Sequence, residues 1–97
     1  MQRRRELTDY VIILSDKDNV ATALVDLPVG DYLLTSEQTP SVVVVPEEIK
    51  AGFKLAISDI PEGQPVYKYG YVIGLARTDI KMGQCVHVHN MASLVGR

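Results

Sequence analysis

Apolar residues along the chain occur in short β-branched or aromatic runs rather than at long helical periods. The runs are Val11–Leu14, Tyr32–Leu34, Ser41–Val45, Leu55–Ile57, Val66–Tyr69 and Val86–Val88. Gly and Pro lie between successive runs, which is typical of turns that join short strands. The pattern therefore predicts a small, mostly β domain.

One segment has the spacing of a helix instead. Its apolar residues recur at i, i+3, i+4 and i+7, namely at Val20, Ala23, Leu24 and Leu27. Asp18 or Asn19 could cap its start, and Pro28 would end it. We therefore expect a short helix over Asp18–Leu27, and a weaker pattern predicts a second over Ala76–Ile80.

A short motif occurs four times: an acidic residue, then Leu or Ile, then two residues, then Gly. The copies are Asp26–Gly30, Glu48–Gly52, Asp59–Gly63 and Asp79–Gly83. In such a motif the carboxylate can accept hydrogen bonds from turn amides, the aliphatic side chain can enter the core, and Gly can adopt a positive φ. We interpret the motif as a turn that the fold uses repeatedly, and it carries no chemistry of its own.

Composition narrows the class of protein. The chain has 97 residues, of which 46% are hydrophobic and 23% are charged, with a net charge of −2. These values are typical of one globular domain with one modest core, and they exclude a disordered chain or a broadly basic surface for nucleic acid. We expect a flexible basic segment over residues 1–9 and a single domain over residues 10–97.

Location follows from the same composition. The apolar runs are too short for a signal peptide or a membrane helix. A single cysteine excludes an internal disulfide framework and fits a reducing compartment. The sequence therefore predicts a cytoplasmic protein without a membrane partner.

Both histidines, His87 and His89, lie near the end of the chain. On a strand they would share one face with Cys85, while Val86 and Val88 would point into the core. Two adjacent imidazoles could bind a metal ion or a carboxylate. The alternative is a pair of hydrogen-bonded surface histidines. A third option, Cys85 as a nucleophile with a histidine as its base, is the least favoured.

Two further residues are candidates for binding. Lys68 lies between Tyr67 and Tyr69 and could hold a substrate carboxylate, or act as a base if its pKa is lowered by burial. Its alternative role is that of a solvated lysine. Asn19 could contact a ligand at the start of the expected helix, or could simply cap that helix.

Several segments, in this order and spacing, resemble the SAF domain at the N-terminus of altronate and galactarate dehydratases. They are Asp18–Leu24, Ile49–Ala56, Val66–Gly70, Ile73–Ala76, Asp79–Gly83 and Val86–Asn90. The resemblance covers nearly the whole chain and also extends to the small subunit of sulfolactate sulfo-lyase. It implies a mostly β, SAF-type β-clip domain with one or two short helices.

The resemblance also implies a function. A base removes the C2 proton of a 2-hydroxy acid, the C3 substituent leaves, and a 2-keto acid forms. It implies catalytic roles for His87, His89 and Lys68, substrate contacts by Asn19, Lys68 and Asn90, and a divalent metal, Fe²⁺ or Mn²⁺, held by the two histidines.

A separate large catalytic subunit is implied as partner, because this chain stops shortly after Asn90; the other option is that the chain is an excised domain. The alternatives are the small subunit of a sulfolactate sulfo-lyase and a non-catalytic carbohydrate-binding or assembly module. Unpaired strand edges also favour self-association or partner contact. One residue departs from the family pattern: Phe53 stands where the family usually has a histidine.

Overall fold

A computed structural model describes residues 4–35 and 40–94 of the chain. Ten short strands and a 3₁₀ turn at Leu7–Asp9 make up this part of the chain. The strands are β1 (Arg5–Glu6), β2 (Val11–Ile12), β3 (Val20–Ala23), β4 (Gly30–Leu34), β5 (Ser41–Val45), β6 (Lys54–Ala56), β7 (Pro65–Lys68), β8 (Tyr71–Ala76), β9 (Cys85–Val86) and β10 (Met91–Ser93). The prediction of a mostly β domain is confirmed. Within these residues no helix has the length and apolarity to span a membrane.

The strands form three small sheets. The largest has the order β2-β3-β6-β9 with antiparallel neighbours. The second has the order β1-β4-β5, in which β1 runs parallel to β4. The third has the order β7-β8-β10, with a bulge between Val66 and Tyr67. Each sheet is too small to be stable alone, so burial between sheets must supply the stability.

Two buried clusters lie on opposite faces of the four-stranded sheet. Ala21 and Leu55 are register partners and belong to one cluster, together with Val43 and Val45 of the β4-β5 pair. Val20 and Ala56 are the next register pair and belong to the other cluster, with Val66 of β7. Because neighbouring residues on a strand point to opposite faces, these short strands contribute to two cores rather than the single core expected.

The helix predicted over Asp18–Leu27 is wrong, because residues 20–23 form strand β3. The backbone amide of Ala23 donates to the carbonyl oxygen of Phe53 at 2.9 Å, and Leu24, expected on the buried face, is 58% exposed. The second predicted helix, Ala76–Ile80, is also absent. Its first residue ends β8, and Ile80 forms a β-bridge.

The turn motif, in contrast, organises the fold in pairs. Leu27 bridges Ile49 through two backbone hydrogen bonds of 2.7 and 3.0 Å, and Ile60 bridges Ile80 through two of 2.8 Å. All four side chains are buried, as the motif predicts. Two copies of the turn therefore join back to back at each bridge, with their aliphatic side chains in the core.

The acidic residues accept hydrogen bonds from turn amides, as predicted, but the amides belong to the partner turn. Asp26 accepts from the amide of Ala51 at 2.9 Å, Asp59 from that of Met82 at 2.9 Å, and Asp79 from that of Glu62 at 2.8 Å. In the remaining copy, Glu48 instead contacts the ammonium group of Lys50 at 3.2 Å. Each paired Asp therefore links two distant segments.

Residues 1–9 were expected to be flexible. Of these, residues 1–3 lie outside the described residues. Arg5 and Glu6 pair with β4, and the side chain of Leu7 is completely buried. The carboxylate of Glu6 accepts hydrogen bonds from Thr35 and Thr8, and these bonds lower its pKa below the ordinary value. Residues 5–9 thus pack with the rest of the domain.

Candidate functional site

The two histidines lie in a turn that a buried asparagine holds in place. Strand β9 ends at Val86, and residues 87–90 form the turn. The side chain of Asn90 accepts a hydrogen bond from the amide of His87 at 2.9 Å and donates one to the carbonyl oxygen of Cys85 at 2.8 Å. The amides of Asn90 and Met91 both donate to the carbonyl oxygen of His87.

This turn corrects the expectation that His87 and His89 follow one strand face. In an extended strand, side chains alternate between two faces. This alternation stops here because the side chain of Asn90 forms hydrogen bonds with backbone groups that would otherwise bond to a partner strand. Val86 is buried as predicted, but Val88 is 61% exposed instead of entering the core. The spacing of the histidines therefore does not determine how their rings are arranged.

The two imidazoles are exposed and have different surroundings. The ring of His87 packs edge-on against Phe53, with ring centroids 5.2 Å apart and an interplanar angle of 81°. Phe53, which stands where the family usually has a histidine, therefore contacts the candidate catalytic residue His87. His89, by contrast, lines an open cavity of about 370 Å³ together with Glu47, Cys85 and Asn90.

Cys85 is half-buried beside this cavity. Burial raises the pKa of its thiol above the ordinary value, and the negative charge of Glu47 acts in the same direction. Lys54 opposes this shift only in part. Since the thiolate is the reactive form of cysteine, the surroundings disfavour Cys85 as a nucleophile.

A metal centre was predicted at His87 and His89. In residues 4–35 and 40–94, no three side chains of His, Cys, Asp or Glu are grouped so that they could hold a metal ion. Two imidazoles alone are fewer than the three protein ligands that a catalytic zinc-type site uses. The part of the chain that the structure describes therefore does not fit a complete centre, and the metal stays a prediction.

Lys68 ends strand β7 next to an unusual backbone conformation. Its ammonium group lies 4.9 Å from the ring centroid of Tyr69, a cation–π contact. Tyr69 has a φ of 56°, which non-glycine residues rarely adopt. Its hydroxyl group lies 3.5 Å from that of Thr22 on β3. The lysine predicted to bind substrate is thus held against a fixed aromatic ring.

Sequence reasoning missed a second lysine at this position. Lys54 is half-buried on β6 and is the register partner of Thr22. Burial lowers the pKa of Lys54 below the ordinary value, and the positive charge of Lys68 lowers it further. The sequence contains no signal for this pair, because it depends on which strands become neighbours.

Asn19 lies where β3 meets the bulge of β7. Its side chain accepts a hydrogen bond from the amide of Tyr67 at 2.7 Å and donates one to the carbonyl oxygen of Pro65 at 3.0 Å. The neighbouring Asp18 is buried and accepts from the amide of Gly70 at 2.8 Å. Both residues were expected to cap a helix, but they hold β7 and its turn. A substrate contact by Asn19 or Asn90 stays a prediction.

Comparison with known proteins places this arrangement in a family. Residues 9–94 match the family described as "Altronate/galactarate dehydratase SAF domain". The chain is 44% identical over 73 residues to altronate dehydratase of Escherichia coli, aligning 75% of this chain with 14% of that protein. It is 38% identical over 79 residues to altronate dehydratase of Bacillus subtilis, aligning 81% of this chain with 15% of that protein.

A third relative is (2R)-sulfolactate sulfo-lyase subunit alpha of Chromohalobacter salexigens, with 45% identity over 47 residues, 48% of this chain and 50% of that subunit. The chain spans about one seventh of the length of the altronate dehydratases that it matches. The match over residues 9–94 shows that the chain belongs to the SAF domain family of the altronate and galactarate dehydratases.

Proposed function

We propose that the chain acts as the small SAF-domain subunit of an altronate/galactarate dehydratase-like lyase, together with a separate large catalytic subunit. The observation that carries this proposal is the family match over residues 9–94. The matched altronate dehydratases are about seven times as long as the matched region, so the proposed chemistry needs residues beyond the SAF domain, which we assign to the large subunit.

The reaction we propose is the dehydration of a sugar acid. A base removes the proton at C2, the hydroxyl group at C3 leaves as water, and the resulting enol becomes a 2-keto-3-deoxy acid. A developing enolate needs positive charge or hydrogen-bond donors for stabilisation. On this chain, Lys68 would hold the carboxylate, and His87 and His89 would contact the substrate or move a proton. Asn90 and Asn19 would position the turn and the strand that carry these groups.

We propose that a divalent metal, Fe²⁺ or Mn²⁺, binds at the interface between this chain and the large subunit. When bound there, such an ion supplies a Lewis acid for the carboxylate and hydroxyl oxygens of the substrate. His87 and His89 would provide at most two ligands, so the large subunit would provide the others. The exposure of both rings leaves them accessible to such a partner.

A second candidate is the small subunit of a sulfolactate sulfo-lyase. The specific observation is the 45% identity over 47 residues, which are half of the sulfo-lyase alpha subunit. In that case the C3 substituent leaves as sulfite rather than water, and the substrate is a sulfonated hydroxy acid.

The test is reconstitution of the chain with a large dehydratase-like subunit from the same organism. The complex would be prepared without oxygen, supplied with Fe²⁺ or Mn²⁺, and tested on altronate, galactarate and sulfolactate. We expect 2-keto acid formation by the complex and none by either chain alone. Sulfite release from sulfolactate without dehydration of the sugar acids would favour the second candidate.

The histidines are tested in the same complex. Replacing both with alanine, His87→Ala and His89→Ala, should lower the turnover at least a hundredfold, as is typical for loss of a proton-transfer group. Val88→Ala is the matched control, because Val88 lies between them in the same turn and is exposed. Full activity of the double variant would remove the catalytic assignment. A complex that assembles but converts no substrate would indicate an assembly module.

A further inference from the structure

We propose that Lys54 and Lys68, together with the hydroxyl groups of Thr22 and Tyr69, form a binding site for an oxyanion between strands β3, β6 and β7. As the site for the carboxylate of a hydroxy acid it rests on the proposed function, but oxyanion binding can be tested on this chain alone. We call these four side chains the lysine-pair site.

Neither Lys54 nor Lys68 forms an ion pair within the described part of the chain. Within residues 4–35 and 40–94, the ion pairs shorter than 4.0 Å both belong to Lys50, which contacts Asp26 and Glu48. Lys54 and Lys68 are both half-buried, and removing a charge from water costs free energy unless the charge is paired. Two neighbouring lysines that lack an ion-paired carboxylate among these residues therefore leave room for an anion from outside the chain.

The four side chains are linked to one another across strands β3, β6 and β7. Lys54 and Thr22 are direct cross-strand neighbours, so their Cβ atoms lie about 5 Å apart on the same face of the sheet. The hydroxyl group of Thr22 is 3.5 Å from that of Tyr69, whose ring centroid is 4.9 Å from the ammonium group of Lys68. The four side chains thus form one continuous polar cluster that carries two positive charges.

Hydrogen bonds to Asp18 and Asn19 hold the turn that carries Tyr69 in place. The left-handed backbone of Tyr69 is followed by Gly70, whose amide donates to the buried carboxylate of Asp18 at 2.8 Å. A non-glycine residue in this conformation costs about 1–3 kcal/mol and persists only where its surroundings enforce it. On the other side, Asn19 joins β3 to β7 through the backbone of Tyr67. The ring and both hydroxyl groups are therefore preorganised.

The chemistry of the cluster fits an oxyanion. Two ammonium groups can each donate a charge-assisted hydrogen bond to one oxygen of a carboxylate or sulfonate, and the hydroxyl groups can donate to an oxygen or to a neighbouring alcohol. Burial and the positive charge of Lys68 lower the pKa of Lys54, and Cys85 opposes this shift in part, which agrees with repulsion between the two lysines. A bound anion would relieve their repulsion.

The test is an NMR titration of the isolated, isotope-labelled chain with sodium altronate, with sodium sulfate, and with the uncharged sugar alcohol galactitol. We expect saturable shifts of the amides of Thr22, Lys54, Tyr69 and Gly70 with both anions and none with galactitol. Tighter binding of altronate than of sulfate would identify a hydroxy acid as the ligand. Equal affinity for altronate and sulfate would support an oxyanion site that does not contact the sugar hydroxyl groups.

Variants make the test specific. Lys54→Met and Lys68→Met should each weaken anion binding about tenfold, since each removes a charge-assisted hydrogen bond. Lys50→Met is the matched control: it removes the same charge from an exposed lysine and should leave the affinity unchanged. Lys54→Arg keeps the charge and should retain binding, which guards against a loss caused by misfolding.

Shifts that do not saturate, or equal weakening by Lys50→Met, would overturn the lysine-pair site. This outcome is distinct from failure of the proposed function. An active reconstituted lyase whose small subunit binds no anion would refute the site and keep the function. Anion binding by a chain that supports no lyase activity would keep the lysine-pair site and refute the proposed function.

Discussion

Asn19 and Asn90 each use a side-chain amide to hold backbone groups from another part of the chain. Asn19 bonds to the backbone of Pro65 and Tyr67, and Asn90 bonds to that of Cys85 and His87. Both asparagines stand next to candidate site residues, so they position Lys68 and the histidine turn. At the residue scale, the candidate site is therefore positioned by two asparagine side chains that are hydrogen-bonded to the backbone.

Replacing Asn19 with alanine should destabilise the domain by about 2 kcal/mol, because the amide of Tyr67 and the carbonyl group of Pro65 would lose their side-chain partner. Chemical denaturation of the wild type and the variant measures the difference. Asn19→Asp keeps the acceptor for the amide of Tyr67 and loses the donor, so we expect an intermediate loss. Unchanged stability with weaker binding of altronate would instead make Asn19 a substrate contact.

The residue scale also shows what the sequence could and could not predict about the site. The sequence singled out Lys68 because it lies between two tyrosines, and the ring of Tyr69 does lie beside it. It could not predict Lys54, because the pairing of Lys54 with Thr22 depends on the order of strands in the sheet. The arrangement of His87 and His89 was also inaccessible, since the side chain of Asn90 ends the strand before them.

At the scale of elements, the paired turns have different tolerances for a side chain. The glycines Gly63 and Gly83 have φ angles of 85° and 96°, so alanine is strained at both positions. A Cβ atom at Gly83 would lie 1.9 Å from the carbonyl oxygen of Val44, whereas at Gly63 nothing lies within 4 Å. The two positions therefore separate backbone strain from steric contact.

Gly63→Ala should cost about 1 kcal/mol, the ordinary penalty of a left-handed alanine. Gly83→Ala should cost at least about 2 kcal/mol more, because the backbone of β5 must move away. Thermal or denaturant unfolding of both variants gives the comparison. Equal losses would show that β5 does not pack against this turn as described.

The reciprocal caps at the Ile60–Ile80 bridge should be energetically coupled. Asp59 caps the turn that contains Asp79, and Asp79 caps the turn that contains Asp59. Asp59→Ala and Asp79→Ala should each cost about 1 kcal/mol, and their combined effect should deviate from the sum by at least about 0.5 kcal/mol. Denaturation of the single and double variants measures the coupling.

The control pair for this cycle is Asp26→Ala with Asp59→Ala. Asp26 belongs to the other bridge, between Leu27 and Ile49, so its effect should add to that of Asp59. Additivity in both pairs would mean that the two caps of one bridge act independently.

Elements were predictable where local pattern and final environment agree. The runs at Ser41–Val45 and Val66–Lys68 are strands as predicted, because β-branched and aromatic residues suit a half-buried extended chain. The helix over Asp18–Leu27 was wrong because its capping residues bond to the distant amides of Tyr67 and Gly70 instead of to local ones. Tertiary hydrogen bonds thus override a local helical spacing that is only ten residues long.

At the scale of the whole molecule, three sheets share two cores, and the first strand completes one of them. Arg5 and Glu6 pair with Tyr32 and Leu33 of β4, and Leu7 fills the adjacent core. The sequence indicated a single core. It also indicated a flexible start, because a parallel strand of two residues leaves no pattern that would reveal its pairing. The carboxylate of Glu6 then connects the start of the chain to Thr35 at the end of β4.

This connection should depend on pH. The pKa of Glu6 is lowered mainly by its hydrogen bonds to Thr35, so the folded state favours the carboxylate. The stabilisation is complete above the unfolded pKa of 4.5 and is lost as the pH falls through the lower folded value. Glu6→Gln should therefore be less stable than the wild type at neutral pH, and the difference should shrink in acid. A constant difference at all pH values would contradict this assignment.

The reciprocal caps have a consequence for how the chain acquires its structure. They join positions that are 17, 23 and 25 residues apart, so none of these turns can be completed by its own neighbours in sequence. The entropy of closing such loops must be lost before the hydrogen bonds form. We therefore expect a slow folding reaction, in the range of milliseconds to seconds that is typical of β domains with non-local pairing.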